Sequence, residues 1–140
     1  MAVLGALAGP LAIAGYYGTS FARGYGVSMS FVLLWAVAGV LFGAVMGLAV
    51  WLLRSPMRPT WLRAVAAGYW PGIAAGEAAH GIVRIPVTTS VGYWIGEAIV
   101  AIAVLAATLW RKVRGWRATL AAVAAAAAIA VALFAVYGTV

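Results

Sequence analysis

Glu77 and Glu97 are the only acidic side chains among 140 residues, and each stands inside a long apolar run. An ionisable group at bilayer depth costs about 2.5–3.5 kcal/mol even on a lenient insertion scale, so its presence there points to a task. In the segment YWPGIAAGEAAHGIVR, Glu77, His80 and Arg84 are spaced i, i+3 and i+7 and share one helix face. In SVGYWIGEAIVAIAVLAAT, Tyr93 and Trp94 precede Glu97 by one turn and Ser90 precedes it by two. Carboxyl groups so placed can carry a proton, serve as a general acid or hold a cation, with His80 as a base partner. Trp70, Tyr93 and Trp94 add ring faces that attract cations. The candidate ligand-binding set is therefore Glu77, His80, Arg84, Glu97, Tyr93, Trp94 and Trp70. Within it, Glu77, Glu97 and His80 are the candidates for acid–base catalysis.

The spacing also predicts that the two carboxyls meet. Counting from Pro86, Glu77 lies nine residues back and Glu97 eleven on, which at 1.5 Å per residue is about 13 and 16 Å from the turn. A short connection makes the two helices antiparallel neighbours, so both carboxyls are expected at one depth, facing each other across a hairpin. Pro71 removes a backbone donor and frees the carbonyl of Ala67, which predicts a kink and a cavity beside them. Two outcomes are open. Arg84 can neutralise Glu77 with His80 bonded between them, leaving a polar clasp that only fixes the hairpin; otherwise the carboxyls are available to a ligand or a proton.

Residues in these positions need helices that cross a membrane, and the composition supplies them. The chain is 67% hydrophobic and 8% charged, against roughly 45–50% and 25% in a soluble domain. Lipid must cover what water cannot. Apolar runs occupy about residues 2–21, 29–53, 61–83, 89–110 and 118–138, each near the ~20 residues that span a ~30 Å hydrocarbon core. The expected fold is all-α: a polytopic membrane bundle of about five transmembrane helices forming one domain over residues 1–140. RSPMRPT and RKVRGWR interrupt the runs because proline breaks a helix and arginine resists the bilayer. In RIPVTTS, Pro86 stops one helix and Thr88, Thr89 or Ser90 caps the next. The first run contains Pro10 and ends in an interfacial YYGTS; a retained span is the leading reading because no basic segment stands ahead of it, with a cleaved signal peptide as the rival.

Seven basic residues (Arg54, Arg58, Arg63, Arg111, Lys112, Arg114 and Arg117) fall in or beside two loops, while the alternate loops hold only Arg23 and Arg84. Cytoplasmic loops retain Lys and Arg, so the amino terminus is expected inside and the glutamates toward the outer side. Trp51, Trp61, Trp110 and Trp116 flank the basic loops, where an amphipathic indole anchors to the interface.

Glycines recur at fours: Gly5 and Gly9; Gly39, Gly43 and Gly47; Gly68, Gly72 and Gly76; Gly92 and Gly96. Each stripe predicts a face where another backbone approaches closely, within the bundle, in a homo-oligomer or against a partner membrane subunit. The last run, with AAVAAAAAIAVA, is small all round and shows no preferred face. The net charge of +7 does not imply nucleic acid, because the arginines sit at the ends of apolar runs and form no basic face interleaved with aromatics. Without cysteine there is no disulfide, thiol redox chemistry or thiolate metal site, and one His with two Glu is too thin a set for a metal cage. No cofactor is expected.

The Gly-Glu-Ala triplets at Gly76–Ala78 and Gly96–Ala98, the Arg-rich loop after the fourth run and the Ala-rich last run resemble an actinobacterial family of small polytopic membrane proteins with no assigned function. The resemblance implies membrane residence and bacterial origin, hence a multi-pass protein of the bacterial inner membrane. Small multidrug exporters are similar in size and in a membrane-embedded glutamate, but theirs lies in the first of four helices, so no residue carries over. The leading functional expectation is a transporter or permease-like protein that binds a cationic or amphipathic small molecule, with proton coupling, in an outer-side pocket at Glu77 and Glu97. The alternatives are an accessory or structural subunit of a membrane complex, and an isomerase or cyclase acting on a lipid or isoprenoid by acid–base catalysis.

Overall fold

Each apolar run folds as one helix. A computed structural model describes residues 1–86 and 89–138, with helices α1 (Ala2–Ala22), α2 (Met29–Arg54), α3 (Thr60–Arg84), α4 (Val91–Lys112) and α5 (Trp116–Tyr137). The described residues contain no strand. Boundaries differ from the expected ones by a residue or two: α4 starts at Val91 and continues through Arg111 and Lys112, and α5 starts at Trp116. Ser90 occupies the position before α4 but makes no side-chain capping bond, and Thr88 lies outside the described residues.

The helices α1, α2, α4 and α5 are long and apolar enough to cross a membrane, and the chain is a multi-pass membrane protein. The third expected span is long enough, at 25 residues, but less apolar than the other four, because its middle carries Tyr69, Pro71, glycines and the Glu77–His80 face. Enclosure offsets this. Ten residues of α3 are buried, from Ala64 to Gly81, against at most three on any other helix. The helix runs unbroken through Pro71, which is itself buried.

The chain divides into two compact units, Met1–Trp51 and Leu52–Val140. In the first, α1 and α2 meet glycine to glycine: a Cβ on Gly5 would strike the backbone of Gly43, and one on Gly9 the backbone of Gly39. Close backbone approach of this kind replaces the hydrophobic drive that lipid removes.

In the second unit α3 packs against α4 and, more extensively, against α5. A Cβ on Gly68, Gly72 or Gly76 would lie 2.5, 2.7 or 2.9 Å from the carbonyl oxygens of Ala122, Ala126 and Ala130. The separation in sequence is 54 each time, as two parallel helices in steady register require. Two expectations change here. The alanine-rich α5 does have a preferred face, since Ala118, Ala122 and Ala126 are its buried residues; a helix that is small everywhere hides its contact face until a partner selects it. The Gly92/Gly96 stripe, by contrast, meets neither α3 nor α5: among the described residues of the second unit a Cβ on Gly96 would find nothing within 4 Å, and one on Gly92 only the Ser90 hydroxyl at 3.5 Å.

At the basic end of this unit, Ala64, Ala67, Val113, Ala118 and Ala122 form a small apolar core, with Leu53, Leu105 and Leu109 packed against it. The connection from α4 to α5 turns at Gly115, whose φ of 101° suits a residue without a Cβ. The Arg63 guanidinium donates a hydrogen bond to the Lys112 carbonyl in the last turn of α4, where a cation also meets the negative end of the helix dipole. Replacing Arg63 by leucine is expected to lower the stability of the unit by about 1–2 kcal/mol. The readout is a drop in thermal midpoint in detergent, partly restored by lysine.

Candidate functional site

Glu77 and Glu97 lie within hydrogen-bonding reach of each other, so the antiparallel α3–α4 hairpin brings the two carboxyls together. A hydrogen bond between two carboxyl groups needs one proton held between them. The register is consistent one turn further along, where the Trp94 indole occupies the space that a Cβ on Gly81 would take. A third helix enters from below this hairpin in sequence: the Tyr137 hydroxyl, at the end of α5, donates to Glu77 Oε1 at 3.1 Å.

His80 does not sit between Glu77 and Arg84. Its ring stands against Tyr137, with centroids 5.0 Å apart at 47°, and edge-on to Phe134 at 6.3 Å. Arg84 is directed elsewhere as well, its guanidinium carbon 5.8 Å from the centre of the Phe134 ring. Among the described residues no ion pair joins Arg84 to either glutamate. The clasp closed by Arg84 is therefore not formed.

The aromatic candidates separate. Trp94 is half-buried in the α3–α4 contact, whereas Tyr93 is 60% exposed and stands edge-on to Trp94 at 4.9 Å. Trp70, two turns back along α3, is half-buried and makes no ring contact with the cluster. Both glutamates are half-buried within the chain, and not enclosed by it. Two surface cavities among the described residues lie elsewhere, one lined by Thr60, Trp61, Arg114, Trp116, Arg117 and Ala121, the other within residues 15–27.

Three buried side-chain atoms on this face have no hydrogen-bond partner among the described residues: His80 Nδ1, Trp94 Nε1 and Glu97 Oε2. An indole N–H can only donate and a carboxylate oxygen accepts, while a neutral imidazole nitrogen does either according to its tautomer. Buried polar atoms are normally satisfied, so a set left open by the fold is suited to a bound molecule or water. No group of three or more metal-ligating side chains occurs among the described residues.

Tyr137 and Phe134 were not candidates in the sequence. The one signal was their isolation: they are the only aromatic residues in α5 after Trp116, three positions apart and hence on one face.

No curated protein and no solved structure is detectably similar to this chain. A family model does cover it, over residues 1–140. A five-helix membrane protein with a two-carboxyl cluster at the junction of its last three helices, the chain belongs to the family of unknown function DUF6518.

Proposed function

We propose that this protein is a small bacterial inner-membrane transporter or permease-like protein that binds a cationic or amphipathic molecule at Glu77 and Glu97, with proton exchange on the carboxyls as the coupling. The observation that carries the reading is the convergence of Glu77, Glu97 and Tyr137 from three helices, with Arg84 turned onto Phe134. A carboxyl pair without a basic partner holds one negative charge or none, depending on a single proton. A cation and that proton then compete for the same oxygens. The open atoms of His80, Trp94 and Glu97 supply orientation, and the ring of Trp94 supplies an apolar and cation-attracting wall. On this reading α3 spans the membrane with the others, the amino terminus is cytoplasmic, and the site lies toward the outer face.

Proteoliposomes given tetraphenylphosphonium as probe are expected to show pH-dependent binding or flux that falls at least about tenfold in Glu77→Gln, as loss of one of the two carboxyls that hold the cation implies. Tyr137→Phe is expected to shift the pH dependence while retaining binding. Absence of pH-dependent binding or flux, with no effect of Glu77→Gln, would sink the proposal. A second reading, an accessory subunit of a membrane complex, is favoured by one feature: the open Gly92/Gly96 face of α4, onto which a partner helix fits.

A further inference from the structure

At the other end of the second unit, a cavity of about 540 Å³ lies between the start of α3 and the start of α5. Arg114 and Arg117 line it together with Trp61 and Trp116. We infer that this cavity is a binding site for the phosphate head group of an anionic membrane phospholipid.

Charge is the first argument. The chain has nine basic residues and two acidic ones, and both acidic residues belong to the cluster at the opposite end of α3, α4 and α5. Arg114 and Arg117 therefore have no carboxylate of the chain to neutralise them, and the counter-charge must come from outside. The guanidinium of Arg117 is held over the Trp116 ring, 5.3 Å from its centroid. Stacking of this kind leaves the N–H edge free for a phosphate oxygen.

Position decides for lipid over a free anion. Trp61 and Trp116 are 62% and 69% exposed, and both stand where an apolar helix begins, the depth at which indole rings settle among head groups. One turn further along each helix, Val65 and Leu120 are exposed apolar side chains, a continuation that an acyl chain can cover and a soluble anion cannot use. Basic pockets between helices on the cytoplasmic side bind anionic head groups in this manner. Because α3 and α5 run parallel, their amino-terminal first turns both end at the cavity, and neither has a side-chain cap. Their free N–H groups reinforce the preference for an anion.

The test uses the full-length protein in detergent, titrated with phosphatidylglycerol and with phosphatidylcholine of the same acyl chains, and followed by native mass spectrometry. Wild type is expected to prefer phosphatidylglycerol by about tenfold or more, given the worth of two arginines at a lipid surface. The double variant Arg114→Gln/Arg117→Gln is expected to bring that preference within about twofold, and Arg114→Lys/Arg117→Lys to retain most of it. A control with equal loss of charge, Arg54→Gln/Arg58→Gln, is expected to keep the preference. Equal loss in that control means general surface attraction and overturns the inference. So does the absence of any preference in wild type, or competition by glycerol phosphate as strong as by the intact lipid. Should the glutamine double variant misfold, the control and the glycerol phosphate competition on wild type still decide.

Discussion

Replacing Gly72 by leucine is expected to separate α3 from α5 and to abolish monodisperse protein, whereas the same change at Gly96 is expected to leave the protein as it was. The two glycines look alike in sequence, each four residues from another glycine inside a hydrophobic helix. Their surroundings are opposite. A Cβ on Gly72 would meet the Ala126 carbonyl oxygen at 2.7 Å, the Ile129 Cβ at 2.8 Å and the Ala126 Cα at 3.0 Å. None of these is the far end of a flexible chain, so relief requires moving a helix. Overpacking a tight contact costs about 1–3 kcal/mol for added methylene groups, and leucine adds more than one. Gly72→Ala is therefore expected to lower the thermal midpoint and Gly72→Leu to destroy the transition. Gly96→Leu is expected to fall within about 0.5 kcal/mol of wild type, the usual range for an open position. Size-exclusion profiles and thermal scans in one detergent check all three. Equal tolerance at positions 72 and 96 would mean that the α3–α5 contact is not the one described.

The second large effect is a labelling pattern. Because the chain has no cysteine, a single introduced one is the only target for a membrane-impermeant maleimide. Met57, between α2 and α3, is 93% exposed, and Tyr25, between α1 and α2, is 66% exposed. On the proposed orientation, with the basic loops inside, Tyr25→Cys is expected to label in intact spheroplasts and Met57→Cys only after lysis. Arg114→Cys is the informative third position. If α3 crosses the bilayer despite its lower apolarity, positions 57 and 114 share a side and both are protected. If α3 does not cross, α4 carries position 114 to the side opposite position 57, and the two label differently. The contrast is close to all-or-none, and it tests the orientation and the weakest span together.

Much of the architecture was legible because its causes are local. Proline, arginine and the length of each apolar run set the helix ends to within about two residues. The meeting of Glu77 with Glu97 followed from counting residues on either side of Pro86, since a hairpin converts sequence distance into depth. What stayed hidden belongs to α5. Its contact with α3 joins helices that are not consecutive, and a helix that is alanine all round presents the same surface in every direction. For the same reason Tyr137 was passed over, although it donates the hydrogen bond to Glu77. The roles given to His80 and Arg84 by their spacing failed differently. Sharing a helix face with Glu77 made contact possible, but the rings of Tyr137 and Phe134 offered both residues a better neighbour.

The hydrogen bond from Tyr137 to Glu77 also has a bearing on biogenesis. A ribosome delivers α3 and α4 first, so for some time the nascent hairpin carries two carboxyl groups that no hydroxyl from α5 has reached. Until the last helix arrives, those carboxyls have only each other as neighbours in the hairpin. Completion of the cluster is then a late event in insertion, and it reports that α5 has entered parallel to α3. A chain stalled before α5, or one whose last helix is inverted, presents membrane quality control with a Glu77 carboxyl that lacks its hydroxyl partner.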